Sequence, residues 1–534
     1  MDHACRFGDL DRTGAWLEHG ECRIMNITGS IFRAYLKCPM KSWLRATGEP
    51  GTGNTYAEWL QTQEERYRLA AANRLLSGMR VGEDVLLPLD NRSDEGHFFA
   101  PGDLKAIKWR LAFDVTLSTE GETPRGRNGR GRVINHSADT GEHDGVTAII
   151  TNREANRYHA PIASYRFHGI ERLPSEGPRK PIKFAPIRFA LKNELDNEER
   201  MMLAFDGLVL SEILNRPVVE GKIIHGDKHT SLRLNISSMV GQVRTTVDKI
   251  IKLVSCHSPP ELLLIRHCTE CEFQAHCRKI AIEKDELSLL SNMTTKQREK
   301  LRAKGIFTLN QLSHTFRPRR RGKQRIEKYH HSLKALAIRE HKIHFVGVPD
   351  LKIAGTPVYL DVEGLPDRSS YYLIGARIGY GKSVIQHSLW ADETDDEQKI
   401  WNDFLGVLAG VKDPVLIHYG SYEKTFLARM RNRYSIPPQF SSLGAVFECT
   451  INLLSIIFAK IYYPTYSNGL KDIARSLDFR WSDQQASGLN SMMWRQEWEE
   501  TRSDDLAKRN SLFTTRRIAQ PSKRLLMRLR CCKR

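Results

Sequence analysis

The sequence predicts a multidomain α/β protein, and three observations support this prediction. The chain has 534 residues, enough for two to four domains with hydrophobic cores. From Val346 onward, apolar strand-like runs alternate with helical patterns, as expected of an α/β domain. Hydrophobic residues make up 40% and charged residues 27% of the chain, which is typical of a globular protein. No apolar stretch approaches the length of a membrane span.

The first half of the chain contains helical, loop and strand patterns in turn. Residues 1–24 differ from the rest and are predicted to be a leader, either disordered or the result of a misplaced start codon. Thr28–Ala72 has helical spacing of its apolar residues, whereas residues 118–145 are rich in Gly, Arg, Thr and Ser and predict a loop. One long helix and two strands are predicted further on, at Asn193–Leu214, Gly221–Ile224 and Ser231–Ile236.

The second half has the clearer α/β pattern. Three strands are predicted, at Val358–Val362, Tyr371–Gly375 and Val415–His418. Three helices are predicted, at Asp396–Leu408, Tyr422–Arg431 and Gly469–Leu477.

The net charge of +18 favours a polyanionic partner, either nucleic acid or an anionic membrane surface. Arg516–Arg534 alone carries eight Lys or Arg and no acidic residue. A membrane-surface protein would need a basic amphipathic helix, and none is clear. The N-terminus has no apolar signal-peptide core, so we predict a cytoplasmic protein that binds DNA or RNA.

Residues 284–345 form a separate basic linker. Leu301, Gly305-Ile306 and Leu312 resemble the second half of a helix-hairpin-helix, in which backbone amides of a Gly-containing turn approach a phosphate. The alternative is a solvated linker. The residues predicted to contact nucleic acid here are Lys304, Gly305, Arg317, Arg319, Arg320 and Arg321.

Three of the ten cysteines are spaced as metal ligands, in the pattern Cys268-x2-Cys271-x5-Cys277. A fourth ligand is needed, and Cys38 is our candidate. Four thiolates satisfy an iron–sulfur cluster or a zinc ion, and His267 or His276 could replace a cysteine.

An Asp-x-Glu pair, Asp361 and Glu363, ends an apolar run in Leu360–Gly364. Residues two apart on a strand project from the same face, so both carboxylates point the same way. Converging carboxylate oxygens suit Mg²⁺ or Mn²⁺. An ordinary surface Asp-x-Glu pair is the alternative.

Over residues 25–515 the chain resembles the RecB-like nucleases that carry a C-terminal YprB-type ribonuclease H-like domain. The segments that support this resemblance are His267–Phe273, Gly305–Leu312, Phe316–Arg321, Val358–Arg368, His418–Glu423 and Pro464–Ile473. The resemblance implies a RecB-like domain at 25–283, the helix-hairpin-helix-like linker at 284–345, a ribonuclease H-like domain at 346–515 and a basic tail at 516–534.

The family also implies chemistry. In its iron–sulfur members, one upstream cysteine and a C-terminal trio hold a 4Fe–4S cluster. Its ribonuclease H-like domain resembles DEDD exonucleases, in which four carboxylates hold two metal ions. Asp361 and Glu363 match the first two ligands and Glu423 a further one, while Lys471 would line the nucleic-acid groove.

Two expected motifs are missing. The fourth acid should lie in a Tyr-x-x-x-Asp helix near residue 515, but Pro521 interrupts that stretch. Back-translation in a neighbouring frame permits Tyr-Asn-Ala-Glu-Asp, so we hypothesise a frameshift, which sequencing the locus would test. In the RecB-like domain Asp144 is a possible first acid, but Pro186–Phe189 lacks the expected Glu-x-Lys, so we predict binding without cutting there.

Two functional hypotheses follow. The first is a metal-dependent nuclease of the exonuclease type, impaired by the missing acid. The second is a non-catalytic nucleic-acid-binding protein with an iron–sulfur structural site. The sequence leaves open DNA against RNA, cleavage polarity and oligomeric state.

Overall fold

The structure is a computed structural model that describes residues 27–77, 85–86, 97–99, 109–117, 165–174, 177, 180–256, 258–317, 329–347, 353–365, 370–379, 384–480 and 487–502. Its described residues fall into two compact units. The first comprises those of Met1–Pro50 and Thr62–Glu261, and the second those of Gly51–Gln61 and Leu262–Arg534. No helix in these ranges is both long and apolar enough to cross a bilayer.

The first unit combines helices with a mixed sheet. Its helices are α1 (Gly29–Lys37), α2 (Pro39–Ala46), α3 (Thr55–Leu76, whose residues up to Gln61 group with the second unit), α4 (Asn197–Leu214) and α5 (Val240–Ser255). Its strands are β1 (Val85–Leu86), β2 (His97–Phe99), β3 (Leu111–Leu117), β4 (Tyr165–Arg172), β5 (Phe184–Ala190), β6 (Glu220–His225) and β7 (Thr230–Asn235).

The predicted helical stretch from Thr28 is broken into three helices for local reasons. Thr28 caps α1, because its Oγ1 accepts a hydrogen bond from the Ile31 amide at 3.1 Å. Cys38 is extended between α1 and α2, and Pro39 follows it at the first helical position. The α conformation is unfavourable for the residue before a proline. The chain therefore turns at Cys38, and α2 begins at Pro39.

The sheet of the first unit runs in the order β1-β3-β4-β5-β6-β7, with β2 also pairing with β3. β3, β4 and β5 pair antiparallel, and β5 and β6 pair parallel. The apolar face of α4 packs against this sheet around Phe205, which stacks on Phe32 of α1. All seven residues of β5 are buried, which makes it a central strand.

The second unit contains the helices of the cysteine segment, the hairpin and the C-terminal domain. In chain order they are α6 (Gln274–Glu283), α7 (Thr295–Arg302), α8 (Leu309–Ser313), α9 (His331–Glu340), α10 (Glu397–Ala409), α11 (Tyr422–Tyr434), α12 (Gly444–Glu448), α13 (Leu453–Ile457), α14 (Leu470–Ser476) and α15 (Gly488–Thr501).

The strands of this unit form one main sheet and one small ribbon. They are β8 (His344–Phe345), β9 (Thr356–Leu365), β10 (Ser370–Ile378), β11 (Ile385–Trp390), β12 (Pro414–His418), β13 (Ile451–Asn452) and β14 (Ile461–Tyr462). The main sheet has the order β11-β10-β9-β12-β13, and β8 pairs with β14. β9 pairs antiparallel with β10 and parallel with β12, so it is the central strand.

The observed architecture confirms the predicted α/β fold class. Every strand and helix predicted after Val346 is present, with ends shifted by a few residues. β11 and α15 were not predicted. β11 is an edge strand whose residues are mostly half-buried, and α15 has no clear apolar face, so neither gives a strong periodic signal.

Candidate active site

The Asp361 and Glu363 side chains lie on the central strand β9. They are two residues apart and therefore share one face of the sheet. Opposite them on β10 are Gly375 and Leu373. Asp361 is 5% and Glu363 8% exposed, so both carboxyl groups are buried. Burial of two acids on the same face excludes the ordinary surface pair.

Glu423 lies beside them in the first turn of α11. β12 ends at His418, a short turn follows, and α11 begins at Tyr422, so Glu423 enters the site from the end of the neighbouring strand. α11 packs against β9. Glu423 is 6% exposed.

His418 fixes the turn that carries Glu423. Its Nδ1 donates to the Gly420 carbonyl oxygen at 2.9 Å, and its Nε2 lies 3.2 Å from Thr450 Oγ1. Burial lowers the pKa of His418, so the ring is neutral at neutral pH. The Glu423 Oε2 atom is 3.7 Å from Nδ1, too far for a hydrogen bond. His418 therefore shapes the turn without pairing with the acid.

The three acids repel one another. Burial, reinforced by Glu363 and Glu423, raises the pKa of Asp361 well above its ordinary value. Burial and the charge of Glu423 raise the pKa of Glu363 to about 8, against the opposing effect of Lys471. Burial also raises the pKa of Glu423 to about 7. A cation placed among these groups would relieve this repulsion.

The donor set fits a hard divalent cation. Asp361 Oδ2 and Glu423 Oε2 are buried and have no hydrogen-bond partner within the part of the chain that the structure describes. Buried carboxylate oxygens without partners are costly, and carboxylates are the ligands that Mg²⁺ and Mn²⁺ prefer. In this conformation, no three His, Cys, Asp or Glu side chains within the described ranges are grouped closely enough to hold a metal ion. A metal ion held by all three acids would therefore require their side chains to move.

Tyr422 and Gly488 also lie near the acids, and neither was predicted from the sequence as a site residue. A Cβ on Gly364 would lie 2.8 Å from Tyr422 Oη, so glycine makes room for that hydroxyl next to Glu363. Gly488, at the start of α15, is also close, since a Cβ there would lie 4.0 Å from Glu363 Oε2. Tyr422 precedes Glu423 and could have been noted, whereas no motif marks Gly488.

A family model of the RNase H superfamily matches residues 358–515. The match begins on β9 and includes all three acids. The C-terminal part of the chain is a ribonuclease H-like domain. Its five-stranded mixed sheet, with the acids on the central strand and the adjoining helix, agrees with this match. No curated protein matches the chain. At the level of the family, the match supports a nuclease-like function on nucleic acid.

Lys471 acts electrostatically on one of the three acids. It is half-buried in the first turn of α14, and its charge lowers the pKa of Glu363. Asp472 points instead to the preceding loop, where its carboxylate accepts a hydrogen bond from Ser467 Oγ. Lys471 was predicted to line the nucleic-acid groove, and this stays a prediction.

The backbone amides in the hairpin of α7 and α8 donate hydrogen bonds to acceptors within the protein. The amides of Gly305 and Ile306 donate to carbonyl groups of α7, at 2.9 and 3.0 Å. The first amides of α8 donate to Asp285, with Asn310 N 2.6 Å from Asp285 Oδ2. The predicted phosphate contact through these amides is therefore not supported by this geometry. A phosphate contact at this hairpin would have to come from side chains.

A groove of about 310 Å³ lies between α7 and the start of α9, and basic side chains border it. Lys300 and Lys304 are exposed and lie one turn apart on its rim. Tyr329 and His330 line the opposite side. Arg317 is exposed after α8, whereas Arg319, Arg320 and Arg321 lie outside the described residues.

The three predicted cysteine ligands of the second unit lie within ten residues of one another along the chain, but within the described residues they are not grouped closely enough to hold a metal ion in this conformation. Cys268 is in a 3-10 turn, Arg266–Glu270, and its Sγ accepts a hydrogen bond from the Ile265 amide at 3.3 Å. Cys271 and Cys277 are 6% and 8% exposed. Cys38, the predicted fourth ligand, belongs to the first unit.

Buried ion pairs occupy the centre of the first unit. On β5, Arg188 Nη1 lies 2.6 Å from Asp206 Oδ2, and Tyr165 Oη donates to the other oxygen of that carboxylate at 2.6 Å. Asp114, on β3, pairs with Arg68 and Arg166. The strand expected to carry Glu-x-Lys thus presents an arginine that is already neutralised. Asp144, the predicted first acid, lies outside the described residues.

Proposed function

We propose that the ribonuclease H-like domain is a metal-dependent nuclease of the exonuclease type that hydrolyses phosphodiester bonds in DNA or RNA. Asp361, Glu363 and Glu423 would hold Mg²⁺ or Mn²⁺. The observation that supports this most directly is that three buried acids act on one another electrostatically, and that two of them have oxygens without a hydrogen-bond partner among the described residues. Structural acids in a core are normally hydrogen-bonded, so this arrangement favours a binding site.

When bound, a pair of divalent ions supplies an activated water and stabilises the leaving oxygen. The residues of the chain have supporting tasks. Lys471 would hold a substrate phosphate near Glu363, because its positive charge already acts on that acid and lowers its pKa. The Tyr422 hydroxyl lies next to Gly364, and its ring is 41% exposed, so it can contact the substrate strand.

We also propose that this chain is impaired relative to a complete four-acid site. Only three of the four expected acids are found in the sequence, since the stretch around Pro521 lacks the last one. Weaker binding of one metal ion and a large loss of rate would follow, because the two ions act as a unit.

The experiment is Mn²⁺-dependent degradation of end-labelled single-stranded DNA and RNA. The present chain is compared with a version in which the alternate frame is restored. Faster cutting by the restored version supports the proposal and the impairment. Equal cutting by both contradicts the impairment, and no cutting by either contradicts the nuclease.

The second candidate function is nucleic-acid binding without cleavage. The neutralised Arg188 of β5 favours this for the RecB-like half, because β5 itself carries no lysine that could orient a water. The exposed Lys300 and Lys304 favour it for the hairpin. These cations would contact phosphates without reading sequence.

The hairpin proposal leads to a prediction for the double variant Lys300→Glu/Lys304→Glu. Affinity for single-stranded DNA should fall for all sequences, and the slope of log affinity against log salt should decrease by about 1 to 2. Fluorescence anisotropy between low and moderate salt measures both quantities. The control is Lys399→Glu/Lys412→Glu, which changes the net charge equally at exposed positions of the ribonuclease H-like domain. Equal slopes for the two double variants would contradict the hairpin contact.

We further propose that Cys268, Cys271 and Cys277 bind an iron–sulfur cluster, with zinc as the alternative. Their spacing and the amide hydrogen bond to Cys268 Sγ support a metal-bound thiolate. Cys271→Ser should lose the metal and lower the melting temperature. Iron and zinc content and visible absorbance of anaerobically purified protein provide the measurement. The exposed Cys449 gives the control, and metal loss in Cys449→Ser as well would argue against the trio.

A further inference from the structure

We propose that Lys334, on α9 and outside the region matched by the RNase H family model, is a positioning residue for the acidic site. Its buried ammonium group would hold the loop 463–468, and through this loop it would place Lys471 beside Glu363. This inference rests on the proposed function for its catalytic consequence only, because the structural part can be tested without activity.

The Lys334 side chain is enclosed by oxygen atoms. The residue is 1% exposed, although lysine is almost never fully buried without a partner. Its Nζ is within 3.5 Å of four oxygens, those of the Tyr463 carbonyl at 3.0 Å, Thr465 Oγ1 at 3.1 Å, the Ser467 carbonyl at 3.5 Å and Asn468 Oδ1 at 3.0 Å.

All four oxygens act as acceptors. The Thr465 hydroxyl donates its own proton to the Ser467 carbonyl at 2.6 Å, so it can only accept from Lys334. A cage of acceptors matches an ammonium group, which has three protons and no lone pair. Burial lowers the pKa of Lys334 to about 7, against the opposing charge of Asp472. Such a costly burial is expected where the charge has a task.

The loop held by Lys334 leads directly to the acidic site. It ends at Gly469, where α14 begins, and Lys471 is the second residue of that helix. The carbonyl group of Asn468 also accepts a hydrogen bond from Tyr419 Oη, and Tyr419 adjoins the turn that carries Glu423. The loop is therefore fixed on one side by α9 and on the other by the end of β12.

A local link also joins the loop to α14 itself. Ser467 Oγ donates to the Asp472 carboxylate and accepts from the Gly469 amide at 3.0 Å. A shift of the loop would therefore be passed to the first turn of α14. Since Lys471 lies in that turn, loss of the Lys334 cage is expected to move Lys471, whose charge acts on Glu363.

The test uses the full chain with Lys334→Met, Lys471→Met and the double variant. Methionine keeps most of the volume of lysine but has no proton to donate. The control is Arg339→Met on the same helix, which removes the 2.9 Å hydrogen bond to Ser313 Oγ without touching the loop. Asn468→Ala, which removes one acceptor of the cage, is a milder variant if Lys334→Met does not fold.

We expect faster hydrogen exchange of amides in 463–473 for Lys334→Met and not for Arg339→Met. We expect each single lysine variant to lower kcat/KM for Mn²⁺-dependent cleavage about tenfold, and the double variant to be no slower than the slower single variant. Unchanged loop exchange, or effects that multiply in the double variant, would overturn the proposal.

If the unsubstituted chain cuts nothing, the proposed function fails while the positioning role is still decided by Mn²⁺ affinity. Loss of the lysine charge beside Glu363 should tighten Mn²⁺ binding in Lys471→Met. If Lys334 places Lys471, Lys334→Met tightens it similarly and the double variant no further. An unchanged affinity in Lys334→Met, with a tighter one in Lys471→Met, overturns the proposal.

Discussion

Replacing Glu363 with glutamine is expected to reduce Mn²⁺-dependent cleavage by about a thousandfold or more, because it removes a ligand of the proposed metal site from the central strand. The amide has nearly the shape of the carboxylate, so the sheet should be unaffected. Cleavage of end-labelled single strands and Mn²⁺ binding by calorimetry measure the effect. Glu448→Gln is the matched control, since that side chain is 68% exposed and far along the chain from β9. Retained cleavage in Glu363→Gln would contradict the proposed site.

The same substitution should stabilise the metal-free protein. The folded-state pKa of Glu363 is raised to about 8, so between roughly pH 4.5 and pH 8 the unfolded chain is ionised while the folded carboxyl group remains protonated. The free energy of unfolding therefore falls as the pH rises through this window. Glutamine does not titrate, so the advantage of Glu363→Gln in melting temperature, measured with EDTA, should grow from pH 5 to pH 8. A constant or shrinking advantage would contradict the burial of these acids.

Replacing Arg495 with alanine is expected to cost about 3 kcal/mol of stability, the second large effect. Arg495 on α15 is 2% exposed. Its Nη1 and Nη2 donate to the carbonyl groups of Ala391 and Asp392 at 2.6 and 3.0 Å. The guanidinium carbon also lies 4.9 Å and 4.8 Å from the ring centres of Trp390 and Trp498. Alanine would remove the donor to the buried Ala391 carbonyl and open a void between aromatic rings, whereas the exposed Asp392 carbonyl keeps a hydrogen bond from Arg502.

Tryptophan fluorescence reports this loss directly, because two of the rings around the guanidinium group are tryptophans. The denaturant midpoint of the ribonuclease H-like domain should fall in Arg495→Ala, and cleavage should fall with it, since α15 begins beside Glu363. Arg502→Ala is the control. That arginine is exposed, although it also lies over Trp498. Equal midpoints for Arg495→Ala and the unsubstituted protein would contradict the anchoring of α15.

The acidic pair could be predicted from sequence because a strand has a strict two-residue period. Once Val358–Val362 is taken as a strand, Asp361 and Glu363 must share a face. Glu423 could not be predicted from periodicity, because only the resemblance of His418–Glu423 to a known motif indicated it. The acids are buried because α11 packs against β9, and no local pattern specifies this packing. The same holds for the two carboxylate oxygens that have no hydrogen-bond partner among the described residues.

In the hairpin of α7 and α8, the turn could be predicted from sequence but the partners of its amides could not. Gly305 has φ +78°, the left-handed conformation that glycine favours at a helix end, so the turn itself could be predicted. Where the amides of the turn point depends on distant residues. Asp285 occupies the start of α8. The turn amides at Gly305 and Ile306 and the first amides of α8 therefore already have acceptors within the protein, and the phosphate contact inferred from the motif through such amides is not supported.

The sequence by itself determined the α/β class, the strands and helices after Val346, the Asp-x-Glu pair and the cysteine spacing, because each depends on local periodicity or on spacing along the chain. Only the tertiary structure decided which distant groups meet. It brings Glu423 to β9, Arg495 to the carbonyl groups after β11, Arg188 to Asp206, and Lys334 to a loop about 130 residues further on. These contacts depend on burial and on the cost of an unpaired charge, which act through space and leave no periodic trace in the sequence.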